Sequence, residues 1–127
     1  MQEKFLFEYA VIRVMPRVER EEFLNVGIIL YCAKQKFLKS IFTIDEEKLK
    51  TFTPETDIQE IQENLLALQR ISSGSEGSGT IGAYDIASRF RWLTATRSTI
   101  VQCSKVHPGF CADAEETLIK LHEQLVL

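Results

Sequence analysis

Two arginine-rich segments carry the side chains with the most distinctive chemistry in this sequence. They read RVMPRVER and RFRWLTATR, with guanidinium groups at Arg13, Arg17, Arg20, Arg89, Arg91 and Arg97. A guanidinium group binds a phosphate or a carboxylate through two parallel hydrogen bonds. The segments therefore indicate an anion site in which Arg97 converges with Arg13 or Arg17. The alternative is that ion pairs within the protein already occupy these groups.

Arg13 and Arg89 have different expected surroundings. Arg13 falls on a strand that is otherwise apolar on both faces, so we expect it to be partly buried and to need a carboxylate or an anionic ligand. Helical geometry places Arg89 and Arg91 on opposite flanks of one apolar face, which excludes a single basic stripe. Arg89 follows Asp85 by one turn and lies near Trp92, so an ion pair or a cation–π contact is expected there.

Carboxylates beside the first arginine segment are the candidate metal ligands. Glu19, Glu21 and Glu22 offer the oxygen donors that Mg²⁺ prefers, and Asp85 or Asp113 would join them from elsewhere. The interleaved arginines neutralise part of this charge, which favours a solvated turn with ion pairs. We therefore predict no metal site.

A thiol and an imidazole occur together in the sequence HPGFC, at Cys111 and His107. A thiolate beside an imidazole can act as a nucleophile. No third orienting group accompanies the pair, and a Pro-Gly turn followed by a small buried thiol explains the same residues. The sequence assigns no catalytic residue.

A Gly/Ser-rich stretch at 72–82 contains Gly77, Gly79 and Gly82 in the spacing of a dinucleotide-binding loop. That fingerprint requires a strand directly before it, whereas an amphipathic helix is predicted there. We interpret the stretch as a flexible loop within the domain, and no cofactor is predicted.

Apolar segments rich in β-branched and aromatic residues predict strands at 5–15, 23–32, 37–44 and 98–103. The first ends at Pro16 and is apolar on both faces, which is typical of a central strand. Short connections favour antiparallel pairing. An exposed side of the third strand offers an edge for pairing with a second copy, so the sequence is compatible with a homo-oligomer.

Helical spacing predicts one helix after Pro54, one over 83–94 and one that starts at an Asp113 cap. Their inward positions are Ile58, Ile61, Leu65, Leu68, Ile86, Phe90, Leu93, Leu118, Leu121 and Leu125. A turn at 107–109 precedes the last helix. The predicted fold is α+β, with a mainly antiparallel sheet of about four strands, in the order βββααβα, packed against helices.

Size and composition are those of one globular domain over 1–127, with 45% hydrophobic and 26% charged residues. The formal net charge of -3 supplies no overall attraction for nucleic acid. No apolar run is long enough to cross a membrane and the N-terminal segment is charged, so we expect a cytoplasmic protein. Three cysteines without CxxC spacing, Cys32, Cys103 and Cys111, predict reduced thiols.

Three motifs, EYAVIRVMPRVEREEFLNVGIIL, RFRWLTATRST and VHPGFCAD, resemble an uncharacterised bacterial family known as domain of unknown function three thousand and thirty-seven. Thr96 stands where that family usually has proline. The resemblance implies a companion of HipA-like kinase-fold proteins, as in a toxin-antitoxin or regulatory pair. The family pattern falls on Arg13, Pro16, Arg17, Glu19, Arg20, Glu21, Asn25, Gly27, Arg89, Phe90, Arg91, Trp92, Arg97, Ser98, Thr99, His107, Gly109 and Cys111.

The leading hypothesis is a non-catalytic binding or regulatory module that acts with a protein partner. The alternative is a binder of, or an enzyme acting on, a phosphate-containing ligand or nucleic acid, through arginines and a glutamate. The residues that we expect at the binding site under either hypothesis are Arg13, Arg17, Glu19, Arg20, Glu21, Asn25, Arg91, Trp92, Arg97, Ser98 and His107.

Overall fold

Strand β1 (Phe5–Val14) is the centre of the fold. The computed structural model describes residues 3–16, 20–55, 57–75, 78–95 and 99–127. One edge of β1 pairs antiparallel with β2 (Leu24–Cys32), which pairs in turn with β3 (Phe37–Phe42). The other edge pairs with β4 (Val101–Cys103) along its second half and with β5 (His107–Cys111) along its first half. The predicted central strand and antiparallel pairing are confirmed.

Within these described ranges five helices accompany the sheet: α1 (Glu46–Phe52), α2 (Ile58–Ser73), α3 (Gly79–Gly82), α4 (Ile86–Thr94) and α5 (Ala114–Leu125). An aspartate caps each of the four longer ones by accepting a backbone N–H of the first turn, at Asp45, Asp57, Asp85 and Asp113. The α+β fold class is confirmed.

Side-chain alternation along β1 divides the core between the two faces of the sheet. Ala10, Ile12 and Val14 point toward the layer of α1, α2 and α4, where they cluster with buried residues such as Phe90. Phe7 and Val11 are buried on the opposite face, in the cluster that contains Leu118 of α5. Helix α5 packs mainly on β2 and β3, so it covers only part of this sheet face where the face is formed by β1.

The turn predicted at 107–109 is wrong, since these residues begin strand β5, the fifth strand in the part of the chain that the structure describes. The ring of Phe7 lies against Gly109, where a Cβ atom would meet the ring at 2.6 Å. Pro108 cannot donate to a ladder, but β5 pairs only with β1 among the described residues, and an edge strand tolerates proline.

Two helical details also differ from the prediction. Helix α2 begins after the Asp57 cap, well past Pro54, and the separate helix α1 was not predicted because only Leu49 on it is buried. Leu125 was expected to face inward but is 38% exposed at the end of α5.

The stretch predicted as a loop at 72–82 is partly helical. Ser72 belongs to α2, is buried, and its hydroxyl lies 2.8 Å from that of Ser40 on β3. Gly79–Gly82 forms the helical turn α3. The mobility of the connection between them stays a prediction.

Candidate binding site

The structure does not gather the predicted site residues into one place. They divide into Arg13, Asn25 and His107 on the partly open sheet face, Arg91 and Trp92 on α4 across the sheet, and Arg20 and Glu21 on the turn before β2. Arg17, Glu19, Arg97 and Ser98 lie outside the described residues. The proposed convergence of Arg97 with Arg13 or Arg17 is therefore untested.

Arg13 lies on β1 opposite Asn25 of β2 and Gln102 of β4. A β-bulge in the pairing with β2 falls between Ile12 and Arg13, and bulges commonly re-aim a side chain. The guanidinium carbon of Arg13 stacks 3.9 Å from the centroid of the Phe23 ring. Its partial burial is as expected. The expected carboxylate partner is not found among the described residues, and an aromatic ring takes its place.

Two buried polar atoms of this pair have no hydrogen-bond partner in the described part of the chain: Nε of Arg13 and Oδ1 of Asn25. Asn25 uses its Nδ2 to donate to the Leu125 carbonyl of α5, at 3.2 Å. A buried polar group without a partner costs about 1–3 kcal/mol of folding free energy.

Aromatic side chains extend the same surface along β1. Tyr9 lies opposite His107 of β5, and their ring centroids are 5.4 Å apart. We name this surface the Arg13 shelf and define it as Tyr9, Arg13, Phe23, Asn25, Gln102 and His107. The Gln102 side chain is held at its rim by donating to the Thr99 carbonyl at 2.6 Å. The members of the shelf are partly buried apart from the exposed Phe23, and a cation, aromatic rings and amides on such a face are suited to binding an anionic group of another molecule.

Arg91, by contrast, is already occupied. Its Nη2 lies 2.6 Å from Oε2 of Glu8. The angle does not satisfy hydrogen-bond geometry, so the contact is an ion pair. Glu8 alternates with Arg13 along β1 and points to the opposite face, so Arg13 and Arg91 cannot line one cleft. The structure therefore does not bring these two candidate residues together. The sequence did not lead us to predict Glu8 as a partner, although it is the one carboxylate within this apolar strand.

Arg20 forms an ion pair with Glu22 at 2.9 Å, and both side chains are 56% exposed. Such a pair contributes little stability in water. Asp85 and Asp113 are helix caps that accept backbone amides. No group of three His, Cys, Asp or Glu side chains that could hold a metal occurs in the described ranges. The ion-pair interpretation of the acidic turn is thus confirmed for Arg20 and Glu22.

The pair of His107 and Cys111 does not form a nucleophilic site. Both residues lie on one strand, where four residues span about 13 Å, beyond hydrogen-bonding reach. Burial raises the pKa of the Cys111 thiol, which opposes thiolate formation. All three cysteines are free, as expected.

Arg89 is buried and structural, although not through the contacts that were expected. Its Nη1 donates to the Gly82 carbonyl at 3.4 Å, and no ion pair with Asp85 forms. The Asp85 carboxylate instead accepts the Ser88 amide at 2.7 Å, and this bond holds the pKa of Asp85 below its ordinary value. Trp92 is 39% exposed and lines a cavity of about 220 Å³ between α2 and α4.

The family model described as Protein of unknown function (DUF3037) matches residues 9–126. The chain belongs to this family. No curated protein and no solved structure matches it. The matched range includes the whole Arg13 shelf of this DUF3037 protein. Within its described residues, no helix has the length and apolarity needed to cross a membrane.

Proposed function

We propose that this DUF3037 chain is a cytoplasmic, non-catalytic binding module that engages a protein partner through the Arg13 shelf. The observation that carries the proposal is the Arg13 guanidinium, which stacks on Phe23 without a carboxylate among the described residues. Because Arg13 is only partly buried and a guanidinium group binds a carboxylate through two hydrogen bonds, the partner group under this proposal is an acidic side chain of another protein.

The shape of the shelf favours a protein over a small phosphate-containing ligand. Neither Arg13 nor Tyr9 nor His107 lines the surface cavities found between the helices and the sheet or beside the turn at Arg20. One guanidinium group on an open, hydrated surface holds a free anion weakly. A protein partner covers the surface, excludes water and strengthens the same contact.

The family resemblance supplies a candidate partner, the HipA-like kinase-fold protein encoded beside such chains. A small companion that docks on a kinase-fold protein fits the regulatory pair of the leading hypothesis. This assignment is an association with gene neighbours and needs a direct binding experiment.

Co-expression of the chain with that HipA-like protein tests the proposal. We expect a complex that survives size-exclusion chromatography, with affinity lowered about tenfold or more by Arg13→Gln. Arg20→Gln is the matched control, because Arg20 is exposed and already paired with Glu22. Lack of a complex, or equal affinity of the wild type and Arg13→Gln, would contradict the proposal.

A titration with inorganic phosphate distinguishes the phosphate-ligand hypothesis from the proposed protein partner. If phosphate raises the melting temperature of the wild type but not of Arg13→Gln, and no protein complex forms, the phosphate-ligand hypothesis replaces ours.

A further inference from the structure

A guanidinium group has two kinds of edge through which it binds a carboxylate with two parallel hydrogen bonds. The side edge uses Nε and one terminal nitrogen, and the end edge uses both terminal nitrogens, Nη1 and Nη2. Nε of Arg13 is enclosed by the protein and has no hydrogen-bond partner among the described residues. Another molecule cannot reach an enclosed atom, so the end edge is the one left for a partner.

The ring of Phe23 governs how that edge is presented. The guanidinium carbon of Arg13 lies over this ring, 3.9 Å from its centroid, and Phe23 is 41% exposed directly before β2. Rotation of the group away from the ring loses the cation–π contact, so the ring restricts its orientation. A side chain that is held in place before binding loses less conformational entropy when its partner arrives.

Lysine at this position would keep the charge but not the geometry. Its ammonium group is a compact point charge, without the planar fork that forms two parallel bonds to a carboxylate. If charge alone attracted the partner, arginine and lysine would therefore be interchangeable at residue 13.

We propose that Arg13 binds a carboxylate of the protein partner end-on, through Nη1 and Nη2, and that Phe23 is the positioning residue for this contact. The inference rests on the proposed function. It adds the geometry of the contact and the residue that sets this geometry.

Hydrogen exchange at Nε tests the geometry in the free chain. By ¹⁵N NMR, the Nε proton of Arg13 should exchange with water at least about tenfold more slowly than that of the exposed Arg20. Phe23→Leu should accelerate the exchange at Arg13. Phe110→Leu is the matched control, because Phe110 is an exposed ring at the other end of β1. Equal exchange at Arg13 and Arg20 would contradict the enclosed Nε and overturn the end-on contact.

Affinity in the complex with the HipA-like protein tests the recognition. Arg13→Lys should weaken binding about tenfold, nearly as much as Arg13→Gln. Phe23→Leu should weaken it about two- to fivefold, and Phe23→Tyr should restore it because the ring is kept. In the Arg13→Gln background, Phe23→Leu should have no further effect, since the ring acts through the arginine. Arg20→Lys is the control for loss of a guanidinium group.

The two proposals fail in different ways. If Arg13→Gln weakens the complex and Arg13→Lys does not, charge alone is sufficient, and the inference is overturned while the proposed function stands. Additive effects of the Arg13 and Phe23 variants would show that Phe23 does not act through Arg13. Absence of any complex would overturn both proposals. Thermal melting of each variant checks that the fold is retained.

Discussion

Arg13 and Arg89 share an unusual lack of bonding partners, but the surroundings of their guanidinium groups differ. Neither forms an ion pair with a described carboxylate, and each has a buried Nε without a hydrogen-bond partner. Arg89 is 9% exposed, and its Nη1 donates to the carbonyl of Gly82 while it lies against Gly74. Arg13 is only partly buried, and its guanidinium group rests on the Phe23 ring. Arg89 therefore bonds within its own chain, whereas the role proposed for Arg13 is to bind another molecule.

The contrast shows that the backbone decides which role an arginine takes. Gly74 ends α2 with a φ of +65°, and this left-handed cap leaves room for the Arg89 guanidinium. Arg13 follows a β-bulge and lies over the ring of Phe23, and no carbonyl of the described residues is bonded to its side chain. A guanidinium group over a ring keeps its hydrogen-bonding edge free.

The largest expected effect concerns Arg89. Arg89→Ala should lower the free energy of unfolding by about 2–3 kcal/mol, because it empties a packed site and removes the donor to Gly82. Arg89→Met should cost less than about 1 kcal/mol, since it keeps the apolar stem and removes a poorly compensated buried charge. Urea denaturation measures both. If Met costs as much as Ala, the charge itself stabilises the fold and the packing argument is wrong.

Gly74→Ala should cost about 1–2 kcal/mol, because an L-residue disfavours a φ of +65°. The new Cβ would also collide with Nη1 of Arg89. In the Arg89→Met background the collision disappears, so the same change should cost less. A double-mutant cycle by urea denaturation detects this coupling. Strict additivity would show that Arg89 moves aside freely and does not hold this turn.

The burial of His122 predicts how the stability of the protein depends on pH. It is buried on α5, and its Nε2 lies 2.8 Å from the Thr43 hydroxyl. Burial lowers its pKa below the ordinary 6.5. The unfolded chain therefore takes up the proton first as the pH falls, so the stabilisation is complete above pH 6.5 and is lost between 6.5 and the lower folded value.

We expect the stability of the wild type, relative to His122→Gln, to decrease between neutral pH and about pH 5. Paired urea titrations measure the difference and cancel the common contribution of the carboxylates. If the difference in unfolding free energy between the wild type and His122→Gln does not change with pH, His122 takes up its proton equally in the folded and unfolded states.

The smallest expected effect is that of Arg13 on the fold. Arg13→Ala should change the free energy of unfolding by less than about 1 kcal/mol, because it strands no described carboxylate and loses mainly the contact with Phe23. Thermal melting measures this. A loss of several kcal/mol would identify Arg13 as a buried structural charge, equivalent to Arg89, and would remove the contrast between them.

Much of the fold could be predicted because it is encoded locally. The apolar run that became β1 and the Asp113 cap are read from neighbouring residues. The strand at His107 could not be recognised, because Pro and Gly are turn residues in most contexts. Only the edge position of β5 and the ring of Phe7 over Gly109 explain them here.

The sequence by itself determined the α+β class, the central place of β1 and the position of an arginine within an apolar strand. Only the tertiary structure decided which charged and polar side chains have a partner within the protein. Arg91 meets Glu8, and Asn25 meets the end of α5, across long separations in the chain. Local periodicity specifies which way a side chain points, but its partner depends on how distant elements pack. That packing placed Arg13 and Arg91 on opposite faces of the sheet.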